Sequence, residues 1–222
     1  TNIPLLDTSN VTNMSYMFYY CISLTNIPLL DTSNVTNMNS MFNNCTRLTT
    51  IPPLDTSNVT NMNSMFSNIT NLTNIPLLDT SNVTNMSYMF SNCTNLTTIP
   101  PFDTSNVSVM NSMFGSCTNL TYIPLLDTSN VANINTFMGY SDIKTLTDLG
   151  GFKNLKIDWN DGYGLAKCPN LTKESVMNVI NNLYDFRENG DSTTTKTIKF
   201  NSKSLALLSD EEKQIATNKG WV

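Results

Sequence analysis

The sequence predicts an α/β repeat protein, built as a right-handed solenoid with short parallel strands and a helical C-terminal cap. The first observation is the octapeptide Asp-Thr-Ser-Asn-Val-Thr-Asn-Met, which begins at Asp7 and returns with some variation every 24 residues up to Asp127. The second is a set of apolar positions that recurs in each repeat. The third is a helical pattern that replaces the repeat after residue 171. A fixed period of this length is typical of stacked coils, which bury their apolar positions only against neighbouring coils.

The second repeat shows how one coil is organised. Thr, Ser and Asn separate most of its apolar positions, which are Leu24, Ile27, Leu30, Val35, Met38, Met41, Phe42 and Cys45. The segment Leu-x-x-Ile-Pro predicts a short strand that pairs in parallel with the same segment of the adjacent coil. Apolar residues at steps of three and four from Val35 to Phe42 predict a short helix or 3₁₀ turn, capped by Ser33 or Asn34.

The repeat pattern divides the chain into three regions. Residues 1–141 form the predicted solenoid, and residues 142–171 form a degenerate repeat in which Ile143 takes the position of the earlier cysteines. Residues 158–164 carry several oxygen-bearing side chains, but their order differs from that of an EF-hand calcium loop. Because this segment also contains the turn signal Asp-Gly, we expect a plain loop.

Residues 172–222 predict a helix–strand–helix cap that covers the last coil. Thr172 suits the N-cap of the first helix, whose apolar face consists of Val176, Val179, Ile180, Leu183 and Phe186. The stretch from Thr197 to Phe200 predicts a strand. A capping box begins at Ser209 and opens the second helix, and Gly220 suits the end of that helix.

The repeat core resembles that of the BspA-like leucine-rich repeat proteins of bacterial surfaces. The matching residues of the second repeat are Asp31, Thr32, Ser33, Val35, Met38, Met41, Phe42 and Cys45. The resemblance extends over about residues 1–141, although these units are shorter than the usual unit around Ile27. It implies a leucine-rich-repeat-like solenoid with an adhesion or recognition role, located outside the cell or at its surface. Similar repeats in phage-borne proteins make a virion protein the alternative.

The distribution of charge argues against a nucleic-acid partner. The formal net charge is −5, and it arises in residues 1–141, where six aspartates and Arg47 are the charged side chains. Residues 142–222 balance 11 acidic with 11 basic side chains. Because no basic stripe faces a phosphate backbone, we expect no nucleic acid to bind.

No apolar run approaches the roughly 20 residues that span a bilayer, so we expect no membrane insertion within this sequence. The chain opens at Thr1, inside a repeat and without an initiator Met. This favours a fragment, with any signal peptide or anchor outside it. In that case the N-terminal coil could stack on a preceding domain or on another chain.

Four cysteines share one position of the repeat, namely Cys21, Cys45, Cys93 and Cys117. Ile69 fills that position in the third repeat, which indicates a small apolar core site. Coils spaced by about 4.8 Å would also permit the disulfides Cys21–Cys45 and Cys93–Cys117. Buried free thiols are the favoured interpretation.

The sequence predicts no enzyme, no cofactor and no metal site. It contains no His, which removes Ser–His and Cys–His pairs and the commonest metal ligand. The stacked aspartates would stand about 5 Å apart, as in a retaining glycosidase, but nearly identical environments do not separate an acid from a base. Calcium bridging between these aspartates is the alternative to Asx-turns, in which each Asp accepts hydrogen bonds within its own turn. The Asx-turn is favoured.

Departures from the repeat mark the candidate binding residues. Tyrosine replaces Ser, Thr, Asn or Gly at five positions that should face solvent, namely Tyr16, Tyr19, Tyr20, Tyr88 and Tyr122. Exposed Tyr supplies contact area and a polar hydroxyl, which suit protein or glycan recognition. Shielding of neighbouring coils is the other interpretation of these rings. The sequence thus predicts a recognition module for a host or cell-surface protein or glycan, with a structural stalk or spacer as the alternative and an enzyme on polysaccharide disfavoured.

Overall fold

The computed structural model describes residues 3–222, in which the 24-residue repeats are stacked coil on coil. Single parallel β-bridges join successive coils two residues after the core valine of the repeat. They are Asn13–Asn37, Asn37–Asn61, Asn61–Asn85, Asn85–Val109 and Val109–Asn133. Thr1 and Asn2, which begin the predicted region 1–141, lie outside the described residues. The boundaries at residues 141 and 171 stay a prediction.

The predicted helix or 3₁₀ turn between Val35 and Phe42 is wrong, because consecutive tight turns occupy this part of the coil. The amide of Met41 donates to the carbonyl of Met38 at 3.2 Å and closes one turn. The amide of Met38 donates to the carbonyl of Asn61 in the next coil at 3.0 Å. A helix would use these amides within one coil, whereas the turns leave every second amide free to bond the adjacent coil.

Regular strands are short and lie in the later repeats. They are β1 (Tyr122–Ile123), β2 (Leu126–Asp127), β3 (Asp148–Leu149) and β4 (Phe152–Lys153). β1 pairs in parallel with β3, and β2 pairs in parallel with β4. The predicted Leu-x-x-Ile-Pro strand is present as β1 in the sixth repeat, but residues 24–28, 48–52 and 72–76 form no strand. The proline of each segment lacks the amide that a ladder needs, which limits pairing there.

The core runs as one row through the stack. In the second repeat the side chains of Val35, Met38, Met41, Phe42 and Cys45 are fully buried, and the equivalent residues of the next three repeats are buried too. One phenylalanine of each coil stacks on the next with ring centroids 5.6 to 5.9 Å apart, in the series Phe18, Phe42, Phe66, Phe90 and Phe114. The inward position predicted for the methionines and phenylalanines is confirmed.

The stacking continues into the degenerate repeat. Ile143 is buried, and its amide donates to the carbonyl of Lys167 at 2.8 Å. The predicted loop at residues 158–164 is irregular except at Trp159, which is buried and forms a parallel bridge with Ile198. Gly164 lies against the indole of Trp159, where any Cβ would overlap the ring.

The C-terminal region contains the two predicted helices and two shorter ones, but the first predicted helix ends before Leu183 and Phe186 of its predicted face. The elements are a 3₁₀ helix (Leu165–Lys167), α1 (Lys173–Asn182), α2 (Ser202–Leu205) and α3 (Asp210–Asn218). Thr172 caps α1, and Ser209 forms the predicted capping box of α3 with Glu212. No helix of the described residues has the length and apolar character that crossing a membrane requires.

The predicted strand between Thr197 and Phe200 is wrong. This segment makes single bridges instead, through Ile198 to Trp159 and through the preceding Lys196 to Trp221. Gly220 adopts a φ of 91°, so the predicted glycine at the end of α3 is confirmed. The buried Trp221 donates its indole N–H to the carbonyl of Tyr184 at 2.9 Å, which fixes the end of the chain against the segment after α1.

Candidate functional site

Three of the predicted tyrosines occupy an unusual backbone conformation. Tyr16, Tyr20 and Tyr88 have φ values of 60°, 60° and 57°. Each is the third residue of a tight turn, such as the turn that the amide of Met17 closes on the carbonyl of Met14 at 3.2 Å. This turn position requires a positive φ, which Gly and Asn adopt readily and a bulky residue adopts rarely.

Other repeats fill the same turn positions with small polar residues. Ser40 and Ser64 take the place of Tyr16 with φ values of 55° and 54°, and Asn44 and Asn68 take the place of Tyr20 with φ values of 63° and 61°. The turns therefore form without tyrosine. The stacking of the coils does not explain why tyrosine stands at these positions.

The N-terminal tyrosines form a contiguous cluster, which we call the N-terminal cluster (Tyr16, Tyr19 and Tyr20). The rings of Tyr16 and Tyr19 meet edge to face with centroids 5.5 Å apart, and Tyr19 lies 6.1 Å from Tyr20. All three side chains are exposed, Tyr16 by 55% and Tyr20 by 62%. Such a cluster offers a protein or a glycan a broad aromatic surface with three hydroxyl groups.

The remaining predicted tyrosines lie apart from that cluster. Tyr88 is on the fourth coil and is 44% exposed. Tyr122 begins β1 and is 38% exposed. Among the described residues, no aromatic contact joins Tyr88 or Tyr122 to another tyrosine. The structure therefore brings three of the five predicted residues together and leaves two separate.

Two further tyrosines, Tyr140 and Tyr163, were not predicted as binding residues. Tyr140 is 71% exposed, and its ring packs against that of Tyr163 with centroids 4.7 Å apart. A cleft of about 250 Å³ lies between Tyr88 and Tyr140, and Gly115 and Gly139 lie along it. We call it the Tyr88–Tyr140 cleft. The sequence feature that could have indicated this site is Tyr140 itself. It stands 24 residues after Ser116 and replaces a small residue, as the predicted tyrosines do.

The aspartate column consists of Asx-turns, as predicted. Ser57 donates its hydroxyl to Oδ1 of Asp55 at 2.6 Å and its amide to the same oxygen at 3.0 Å. The hydroxyl bond is the main cause that lowers the pKa of Asp55, and the amide bond adds to it. Ser33, a predicted helix cap, likewise donates to Asp31. Within residues 3–222, no group of three or more His, Cys, Asp or Glu side chains has a geometry that could hold a metal ion.

The column cysteines are free thiols, as favoured, and all of them except the half-buried Cys21 are buried. Cys93 donates its thiol hydrogen to the carbonyl of Phe66 at 3.1 Å, and Cys117 makes the same bond to Phe90. Burial raises the pKa of the Cys93 thiol to about 12, so the thiol stays protonated and unreactive at neutral pH. Cys45, Cys93 and Cys117 therefore fill the core.

Comparison with known proteins places the repeats in a family. The family described as "Mycoplasma protein of unknown function, DUF285" matches residues 1–75 and again residues 48–148. The chain belongs to this family. The DUF285 match includes all five predicted tyrosines and Tyr140, whereas Tyr163 lies beyond it.

The fold of the DUF285 chain is similar to that of a solved structure. The leucine-rich repeat protein of T. pallidum, TpLRR, is similar to it with a TM-score of 0.52 and 20% sequence identity, over 89% of this chain and 81% of that chain. At this level of identity the similarity concerns the fold alone, which is leucine-rich-repeat-like. The sequence has no match among curated proteins.

Proposed function

We propose that this DUF285 chain is a recognition module that binds a protein or a glycan of a host or cell surface and catalyses no reaction. The observation that carries the proposal is the exposure of Tyr16, Tyr20 and Tyr88 at turn positions with positive φ. A side chain in this conformation costs about 1–2 kcal/mol, and an exposed ring regains little of that cost by burial. Contact with a partner would account for the tyrosines.

The leucine-rich-repeat-like fold supports a repeat module for interactions. We further infer a right-handed solenoid of BspA-like units, located outside the cell or at its surface. Stacked repeats of this kind present extended faces on which a partner can contact several coils at once. The neutral, polar side chains beside the tyrosines favour a protein or glycan surface over nucleic acid.

A structural stalk or spacer is the second candidate, in a surface protein or in a phage virion. The observation in its favour is the uniformity of the coils from Phe18 to Phe114, whose rings repeat the same stacking geometry within a few tenths of an ångström. A spacer needs only such regular stacking. Recognition needs side chains that differ between coils, which the tyrosines supply.

Binding measurements on a matched pair of proteins test the proposal. The parent chain and a variant with Tyr16→Ser, Tyr19→Asn, Tyr20→Asn and Tyr88→Ser are screened on a panel of extracellular-matrix proteins and immobilised glycans. Each substitution installs a residue that other repeats carry at the same position, so the variant should keep the fold. Binding by the parent and its loss in the folded variant supports recognition. Absence of binding by the parent across the panel would favour the spacer.

A further inference from the structure

The Tyr88–Tyr140 cleft combines aromatic walls with small polar residues. Tyr88 and Tyr140 both line it and belong to coils two steps apart in the stack. Between them lie the side chains of Ser91, Asn92 and Ser116. Tyr, Ser, Asn and Gly are the residues that predominate in antibody binding sites, because they combine rigid aromatic contact with adaptable hydrogen bonding.

The cleft is open because glycine replaces a side chain at its centre. Gly115 stands where the two preceding repeats have Ser67 and Ser91, and a Cβ on Gly115 would lie 3.2 Å from the Ser91 hydroxyl oxygen. Gly139 permits the next coil to approach, since a Cβ there would lie 2.9 Å from the Cα of Gly115. Without a side chain at residue 115, the space between the two tyrosines is accessible.

Several side-chain groups of the cleft have unused hydrogen-bonding capacity. Within residues 3–222, no protein atom bonds the hydroxyl oxygens of Ser91 and Ser116. Asn92 uses its amide nitrogen to bond Asn68 at 2.8 Å, which leaves its side-chain oxygen as an acceptor. The cleft therefore offers two hydroxyls, each a donor and an acceptor, and the oxygen and second N–H of the Asn92 side chain.

The backbone amides of the cleft residues, except that of Tyr140, are in contrast already paired. The amides of Asn92 and Ser116 donate to the carbonyls of Gly115 and Met138 in the following coil at 2.7 and 3.2 Å. The amide of Gly115 closes its own turn on Ser112 at 3.0 Å. An extended peptide that binds by adding a strand needs free backbone groups, and these amides are not available to it.

From this arrangement we infer that the Tyr88–Tyr140 cleft binds a neutral oligosaccharide. None of the residues that line it, all within the described part of the chain, carries a charge, so an ionic ligand finds no counter-charge there. The apolar face of a sugar ring can pack on Tyr88 or Tyr140, and its hydroxyls can pair with Ser91, Asn92 and Ser116. This inference rests on the proposed recognition function and names a ligand class for one site.

The test titrates the 222-residue protein with three neutral oligosaccharides, chitotetraose, maltotetraose and xylotetraose, and measures saturation transfer from protein to sugar by NMR. Two variants alter the cleft in different ways: Tyr140→Ser removes a wall, and Gly115→Ser fills the centre with the residue of other repeats. Arg47→Asn is the control, because Asn71, Asn95 and Asn119 occupy its position. Thermal unfolding of each variant establishes that it is folded.

We expect at least one oligosaccharide to bind the parent and the Arg47→Asn control equally. Tyr140→Ser should weaken this binding roughly tenfold through the loss of ring contact, and Gly115→Ser should weaken it by obstruction. Binding that both folded cleft variants retain would overturn the inference. If no oligosaccharide binds the parent, the cleft assignment fails. The panel described above then decides separately whether the chain recognises any other protein or glycan.

Discussion

The phenyl rings of Phe66 and Phe90 stack with centroids 5.8 Å apart and planes 9° from parallel. Because one coil follows the next at about 4.8 Å, rings in the same rotamer come to lie offset rather than face to face, which is a favourable arrangement for aromatic pairs. The series ends at Phe114, which meets the ring of Phe137 at 87°, where the repeat becomes irregular. The stack therefore marks the length over which the coils are equivalent.

Phe66→Ala should lower the free energy of unfolding by about 3–5 kcal/mol, since it removes a fully buried ring from the middle of the stack. Each coil contacts only its neighbours, so this cavity should also make the denaturant transition less cooperative. Urea unfolding of the parent, Phe66→Leu and Phe66→Ala provides the measurement. Phe66→Leu retains most of the side-chain volume, so its free energy of unfolding should fall clearly less. Equal losses in the two variants would contradict a role for packing at this site.

Tyr88→Asn should raise the free energy of unfolding by about 0.5–1 kcal/mol, because Asn adopts a positive φ more readily than Tyr does. The same substitution should weaken binding of any partner that contacts Tyr88. Tyr122→Asn serves as the matched control, since Tyr122 has no positive φ and should gain no stability. A stability gain of the same size in both variants would show that relief of backbone strain is not the cause.

Much of this fold follows from the 24-residue period alone. The period identifies the buried columns, because a residue such as Met38 that recurs inside every coil must contact its equivalents. The Asx-turn follows in the same way, because Asp and Ser at that spacing make a hydrogen bond that needs no tertiary contact. The capping box at Ser209 is equally local.

Features that depend on contacts between coils are harder to predict from the sequence. Apolar residues at steps of three and four, from Val35 to Phe42, fit both a helix and consecutive tight turns. The choice depends on amides that bond the next coil, such as that of Met38. The Tyr88–Tyr140 cleft needs the approach of the coils at Gly139, which no single repeat reveals. Tyr140 is not predicted as a binding residue because the pattern becomes irregular in the sixth repeat.

The Cys93 thiol should react with a thiol reagent such as Ellman's reagent only after unfolding. Its burial raises the pKa to about 12, well above the ordinary value of 9.0, so the reactive thiolate is absent from the folded chain at neutral pH. Half-buried Cys21 should react first among the column cysteines. Labelling of Cys93 in the native protein at pH 8, at a rate close to that of Cys21, would contradict its burial.

The same pKa difference predicts a loss of stability at alkaline pH. The folded state keeps the Cys93 proton more tightly than the unfolded state does. The contribution of this thiol to the free energy of unfolding is therefore fully present below pH 9.0 and is lost as the pH rises from 9.0 towards 12. The slope is about 1.4 kcal/mol per pH unit for one thiol. Cys93→Ile installs the residue found at Ile69. In urea unfolding between pH 8 and 10.5, the free energy of unfolding of this variant should fall less steeply with pH than that of the parent. An unchanged slope would contradict the prediction.

The aspartate column should stabilise the coils at neutral pH and lose this effect in acid. The hydrogen bonds from Ser57 lower the pKa of Asp55 below its ordinary value of 3.8, while Asp31 and Asp79 oppose them by repulsion. A lowered pKa in the folded state means that the contribution is present above pH 3.8 and lost as the pH falls through the lower, folded value. The chain should therefore unfold more easily below about pH 4 than at pH 6.

Asp55→Asn separates the hydrogen bonds from the repulsion between neighbouring carboxylates. Asn retains an acceptor for Ser57 but lacks the charge that strengthens the bonds, so we expect the variant to be less stable than the parent at pH 7 and less sensitive to acid. Thermal unfolding at pH 3 and pH 7, in low and high salt, provides the measurement. Asp55→Ala removes the acceptor and should therefore be less stable than Asp55→Asn. If Asp55→Asn were instead more stable at pH 7, most clearly in low salt, repulsion along the column would outweigh the turns.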